Sequence, residues 1–112
     1  MATPLNVFKT VTADVSDDLD IIYTAPPGNT AIILTAQAAN VTTNSSEFTF
    51  GHYRNSTNTD TELLKNFVVP GNDAINCVTG KLIVEEGDSV KVQSSGVDIF
   101  KITLSLLESL NA

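Results

Sequence analysis

Phe100-Lys101-Ile102-Thr103-Leu104-Ser105-Leu106 decides the fold class. Phe100, Ile102, Leu104 and Leu106 fall on one side of an extended chain; Lys101, Thr103 and Ser105 fall on the other. Strict period two over this length marks a strand with one buried and one wet face. A helix is conceivable only in Leu104–Leu110, and the alternation running into that segment argues for strand.

Outward from this stretch, turn clusters recur at short intervals: Pro26-Pro27-Gly28-Asn29, Pro70-Gly71-Asn72-Asp73, Glu85-Glu86-Gly87-Asp88 and Ser94-Ser95-Gly96. The runs between them are short and rich in Val, Ile, Thr and Phe, which suits strands and not helices. Strands are expected at about 5–13, 21–24, 31–41, 47–54, 63–69, 81–84, 90–93 and 98–107. Strict alternation puts Leu5, Val7 and Val11 on one face of the first, and Phe48 and Phe50 inward in the fourth. In the third, Ile32, Leu34, Ala36 and Ala38 share a face against Ile33, Thr35, Gln37 and Ala39; two half-apolar faces suggest a central strand, or one covered by a neighbouring subunit. Asn55–Asp60 reads as the most loop-like segment. The expectation is an all-β, single-domain antiparallel β-sandwich of about eight strands, jelly-roll-like, spanning residues 1–112 with residues 1–4 as an N-terminal arm.

Composition narrows the function. Six basic against thirteen acidic residues give a net charge of −7, which repels phosphate backbones and argues against direct nucleic-acid binding. Charged residues are only 17% of the chain, so the outer faces are mostly neutral Thr, Ser and Asn. The beginning carries no basic region followed by an apolar core, and no apolar run approaches spanning length, so synthesis in a cytosol without membrane insertion is expected. In a domain this small, burial gain and ordering cost are of similar size, which makes self-association a natural source of further stability.

No residue set points to catalysis. Cys77 is the only cysteine and lies in apolar Ala-Ile-Asn-Cys-Val-Thr, where a buried small hydrophobe is the plain reading. His52 is the only histidine and has no second ligand at metal spacing. Asp14, Asp17, Asp18 and Asp20 form the densest acidic cluster, without the glycine and terminal glutamate of a calcium loop. Glu85, Glu86 and Asp88 could pass for paired glycosidase carboxylates, but around Gly87 they are expected to hold a turn, with Asp88 accepting from backbone amides. No Gly-x-Ser-x-Gly occurs. Asn40-Val41-Thr42, Asn44-Ser45-Ser46 and Asn55-Ser56-Thr57 match the glycosylation acceptor pattern and are read only as a loop preference. No catalytic residue, metal site or cofactor is expected.

Three segments in order carry a resemblance: Ile22-Tyr23-Thr24-Ala25-Pro26-Pro27-Gly28-Asn29-Thr30, Leu63–Asn72, and Lys81-Leu82-Ile83-Val84-Glu85-Glu86-Gly87-Asp88-Ser89-Val90. This order resembles the small β-sandwich virion proteins of tailed bacteriophages. There a Tyr-Thr-x-Pro-x-Gly-x-Thr turn leads into a long apolar strand, and a Leu-x-x-Gly-Asp-x-Ile/Val-x-Val hairpin closes the fold. Val84 stands here in place of the leading Leu. The resemblance implies a non-enzymatic virion structural protein, foremost a capsid decoration (cement) protein, with neck, collar or tail accessory proteins as the alternative. It implies self-association, commonly as a trimer, contact with a major capsid protein, and location in a virion after synthesis in a bacterial host. Leu5, Val7 and Phe8 are the partner-contact candidates, because an apolar segment at a terminus adds readily to a neighbour's sheet edge; the plainer reading makes them the sandwich's own first strand. The rival from another class is a carbohydrate- or receptor-binding β-sandwich, whose mark would be exposed aromatics in one loop cluster, with Tyr53 the best candidate. A pocket uniting His52 with several aspartates would contradict the non-enzymatic reading.

Overall fold

The computed structural model describes residues 6–111. The expected arm, residues 1–4, and Leu5 lie outside the described residues. Nine strands follow one another: β1 (Asn6–Asp14), β2 (Asp20–Thr24), β3 (Asn29–Asn40), β4 (Ser46–Arg54), β5 (Thr59–Val69), β6 (Ala74–Asn76), β7 (Leu82–Val84), β8 (Ser89–Ser94) and β9 (Phe100–Leu110). One antiparallel sheet has the order β1-β9-β3-β6, with β7 also on β3; the other has the order β2-β8-β4-β5. Since β6 and β7 share one edge of β3, they act as a single broken strand, and the eight-position connectivity is that of a jelly roll. No helix occurs among the described residues, and β9 continues as strand through Leu110.

The core lies between the inner faces. Phe100, Ile102, Leu104 and Leu106 of β9 are buried as the alternation requires, and they meet Phe48 and Phe50 of β4 and Val90 and Val92 of β8. Phe48 and Phe100 touch across the sheets with ring centroids 5.0 Å apart.

In β3 the expected faces are wrong in their first half. Ala31 and Ile33, not Ile32 and Leu34, point inward, whereas Ala36 and Ala38 are buried as read. A bulge is the cause: Ile33 pairs with Leu106 and Thr35 with Ser105, so Leu34 is the extra residue. One inserted residue moves every later side chain to the other face. The central position expected of β3 is seen: it lies between β9 and the β6/β7 edge.

Two other boundaries differ from expectation. The loop-like segment Asn55–Asp60 is only a tight turn, with Asn58 at a φ of 52, and β5 already begins at Thr59. Asp14 and Asp20 are the last and first residues of strands, so the acidic loop proper is shorter.

Turn chemistry fixes the connections. Asn29 N–H donates to Pro26 O at 3.1 Å with Gly28 at a φ of 80; Asp88 N–H donates to Glu85 O at 2.9 Å with Gly87 at a φ of 81. A positive φ at the third position defines type II turns, which glycine occupies without steric cost. The two turns are bonded to one another, Ala25 N–H to Asp88 O at 3.0 Å and Gly87 N–H to Ala25 O at 3.1 Å. Two separate sequence motifs thus build one end of the sandwich, the turn end.

Candidate functional site

His52 lies on the inward side of β4 near the turn end, and the structure places Asp88 beside it. Its Nε2 is 3.7 Å from Asp88 Oδ2, and Arg54 Nε is 3.5 Å from the same oxygen. Arg54 Nη2 also donates to Glu85 Oε2 at 2.9 Å. Asp88 is 2% exposed, and its Oδ1 accepts from Asn55 N–H at 2.9 Å, so it ties the β7–β8 turn to the β4–β5 turn. The expected turn-holding role of Asp88 is therefore seen, acting across two turns. His52 Nε2, Arg54 Nε and Asp88 Oδ2 are buried and form no hydrogen bond at these distances, and only one aspartate meets His52. Among the described residues no three His, Cys, Asp or Glu side chains are close enough to hold a metal ion.

The opposite end, the loop end, gathers the β1–β2, β3–β4, β5–β6 and β8–β9 connections. Backbone bonds stitch them together: Ser94 N–H to Ser16 O, Val41 N–H to Ile99 O, Asn40 N–H to Asp73 O and Asn72 N–H to Thr42 O, at 2.8–2.9 Å. Asn40, 2% exposed, uses its whole amide here. Its Nδ2 donates to Asn44 O and Val69 O, and its Oδ1 accepts from Thr42 N–H and Oγ1. A buried amide at a strand end corrects the loop reading of Asn40-Val41-Thr42. Asp14, Asp17, Asp18, Asp20, Glu47, Asp73 and Asp98 lie at this end with Lys101 as the lone cation, and none of the seven carboxylates makes a salt bridge among the described residues.

A third polar group was legible but not singled out. Lys9 occupies the inward parity of Val7 and Val11, and Glu108 continues the inward series of β9. Lys9 Nζ meets Glu108 Oε1 at 2.9 Å, and Tyr23 Oη donates to Glu108 Oε2 at 2.5 Å. Burial pushes the Glu108 pKa up, but the Tyr23 hydrogen bond and the bond and charge of Lys9 outweigh it, and the net direction is down. Burial first, then the bond to Glu108 and its charge, push the Tyr23 hydroxyl well above the usual tyrosine range. Charged residues at inward parity were the sequence signal for this group.

Of the partner-contact candidates, Val7 is half-buried on the inner side of β1 and Phe8 is 76% exposed on the outer side. Phe8 is one of nine large apolar residues left in solvent among the described residues. Ile21 lies on β2, Leu63, Phe67 and Val68 on β5, Ile83 on β7, and Leu19, Val41 and Val97 in loops. Every one belongs to an edge strand or a connection; none belongs to the interior strands β3, β4, β8 or β9. Cys77 is 5% exposed, and burial pushes its thiol up to about 12 despite the opposing backbone bond to Ala38. Tyr53, the mark of a sugar-stacking site, has its ring covered by Lys91 Nζ at 4.4 Å from the centroid. Two open depressions of ≈ 410 Å³ lie on the surface, one on the β1–β9 ladder at Thr12–Asp14 and one at the turn end by Pro27 and Asn55. Neither is lined by His or Cys.

The fold is shared with a subunit described as belonging to Bacillus endospore appendages, a novel family of disulfide-linked pili. The TM-score is 0.57 at 16% identity, over 98% of this chain and 93% of that one. At this identity the likeness is one of fold. Two crystal structures of a pentameric capsid protein isolated from metagenomic phage sequences align at a TM-score of 0.41 and 15% identity, over 90% of this chain. This chain spans only 60–61% of that capsid protein. No family model matches the chain, and no curated protein matches it in sequence.

Proposed function

We propose that this chain is a non-enzymatic structural subunit that associates with copies of itself through its sheet edges, and that its role is capsid decoration in a phage virion. The observation that carries the self-association is the placement of exposed apolar side chains. Edge strands present unpaired N–H and C=O groups and are normally blunted by charge; here exposed Phe8, Ile21, Phe67, Val68 and Ile83 stand on them among the charged Lys9, Asp20, Glu62 and Lys65. The order of the turn motifs supports the virion role, with the major capsid protein as the lattice partner and Val7 and Phe8 among the contact residues. A subunit that binds only the assembled lattice stabilises it by its binding free energy.

A filament subunit is the second reading, favoured by the whole-chain fold likeness to an appendage pilus protein. The edges of the two sides differ, β1 and β2 against β5 and β6/β7, and contacts between unlike surfaces generate rings or open helices. With its one cysteine buried, such a filament would be held without disulfides through Cys77. Electron microscopy of the purified chain, alone and mixed with undecorated capsids, separates the two. Shell-bound clusters at hundreds of copies support decoration, filaments formed without capsids support the second reading, and a lone monomer with no capsid affinity overturns both.

A further inference from the structure

Strand β1 is held differently from the rest of the fold. It is the only strand longer than three residues with no fully buried side chain; Val7, Val11 and Ala13 are half-covered and the others are exposed. Yet it pairs with β9 along all nine residues without a bulge, from Asn6 opposite Ser109 to Asp14 opposite Lys101. Recognition is thus full-length while apolar attachment is slight. The one ion pair on β1 is Lys9 with Glu108, a carboxylate of β9 that is 7% exposed and also bonded by Tyr23. The chain becomes anchored at the next residue, where Val15 is 2% exposed and its N–H donates to Phe100 O at 3.0 Å. Everything before that anchor can leave as a unit, with Asp14 and Val15 as the pivot.

We infer that β1 is exchangeable: its place on β9 is taken by the β1 of a second copy, with Lys9 of one chain meeting Glu108 of the other. This rests on the self-association reading and specifies its interface. The second copy is the fitting occupant because its β1 reproduces all nine pairings and the ion pair, the only changes being in the pivot. Within one chain the strand's effective concentration is high, so dilute protein keeps its own β1. Crowded on a lattice, a neighbour's identical strand competes on equal terms. Reciprocal exchange closes a two-fold pair, and exchange in one direction runs on into a ring or a filament.

Thr12 and Thr103 face each other on the exposed side of the ladder. Opposed residues of antiparallel strands have Cα atoms about 4.5–5.5 Å apart, within disulfide range. A Thr12→Cys chain and a Thr103→Cys chain, with Cys77 kept, are unfolded and refolded together at high and at low concentration, then oxidised. Exchange predicts that the heterodisulfide joining the two kinds of chain through their introduced thiols is several-fold more abundant than either homodisulfide, at high concentration only. The double variant is the folding control and closes within one chain when dilute. Oligomers by sedimentation with no excess of the heterodisulfide would refute exchange and leave edge association standing. A monomer at every concentration, without cross-links, would refute both.

Discussion

The two ends of the sandwich are held by different forces. At the loop end, seven carboxylates stand without a salt bridge, and the structure there depends on neutral devices: four backbone bonds between loops and the fully used amide of Asn40. At the turn end, charge does the holding, through Arg54 with Glu85 and Asp88, and through Glu108 with Lys9. The end that carries six of the seven net negative charges is thus the end where they find no cation among the described residues: Asp20 and Asp73 only accept local bonds, from Ser16 Oγ at 2.5 Å and Ala74 N–H at 2.8 Å. Unpaired carboxylates repel one another, a cost that is screened by salt, and they leave this face suited to a basic neighbour. Acid and salt should therefore act unequally on the two ends.

The largest effect is expected at Gly71, where the β5–β6 turn crosses the β3–β4 loop. A Cβ there would lie 2.3 Å from Thr43 C and 2.4 Å from Thr43 O, backbone atoms that cannot swing aside. Gly71→Ala should cost about 3 kcal/mol in denaturant unfolding, with little dependence on pH. Asn40→Ala, which strands Thr42 N–H and two carbonyls, should cost about 2 kcal/mol at the same end. If either loss instead vanished in acid, the loop end would be charge-held and the contrast would fail.

At the turn end, Asp88→Asn should cost about 1–2 kcal/mol, since the Asn55 bond can survive while the charge contact with Arg54 is lost. Glu108 sharpens the contrast through pH. Its folded pKa lies below the unfolded one, so its contribution is complete above the ordinary glutamate range, about 4.3, and disappears as pH falls through the folded value. Glu108→Gln should melt below the wild type at neutral pH, and the gap should narrow steadily as pH falls below the ordinary glutamate range, about 4.3. Tyr23 has the opposite sign: its contribution is full below about pH 10 and is lost as pH rises beyond it. A Glu108→Gln gap that does not shrink at all as pH falls below the ordinary glutamate range would mean the carboxylate's charge is irrelevant. The smallest effect is Asp17→Ala with Asp18→Ala, whose melting should move by no more than about 0.5 kcal/mol, with or without calcium.

Much of this molecule was legible in its sequence. Phe100–Leu106 specified β9, and the glycines of both type II turns marked the two connections that pack together. What escaped was non-local. The bulge at Leu34 is set by how β3 must bridge β9 and the broken β6/β7 edge, and no residue in Ile32–Ala36 announces it. The meeting of His52 with Asp88 depends on β4 lying beside β8, a pairing of segments far apart in the chain. Among the contact candidates, Val7 and Phe8 were visible as apolar residues, but which one faces solvent follows from the register of β1 on β9. That Ile21, Phe67 and Ile83 are edge residues follows from strand order, which is not written in local periodicity.

Edge-driven self-association is tested most directly by sedimentation of the wild type beside Phe8→Ser across a wide concentration range, with melting of both. Phe8 is 76% exposed, so its loss should leave melting within about 0.5 kcal/mol of the wild type. The wild type should sediment as an oligomer whose size rises with concentration, and Phe8→Ser should shift towards monomer. Wild type and variant associating equally, or a wild type that stays monomeric throughout, would contradict it.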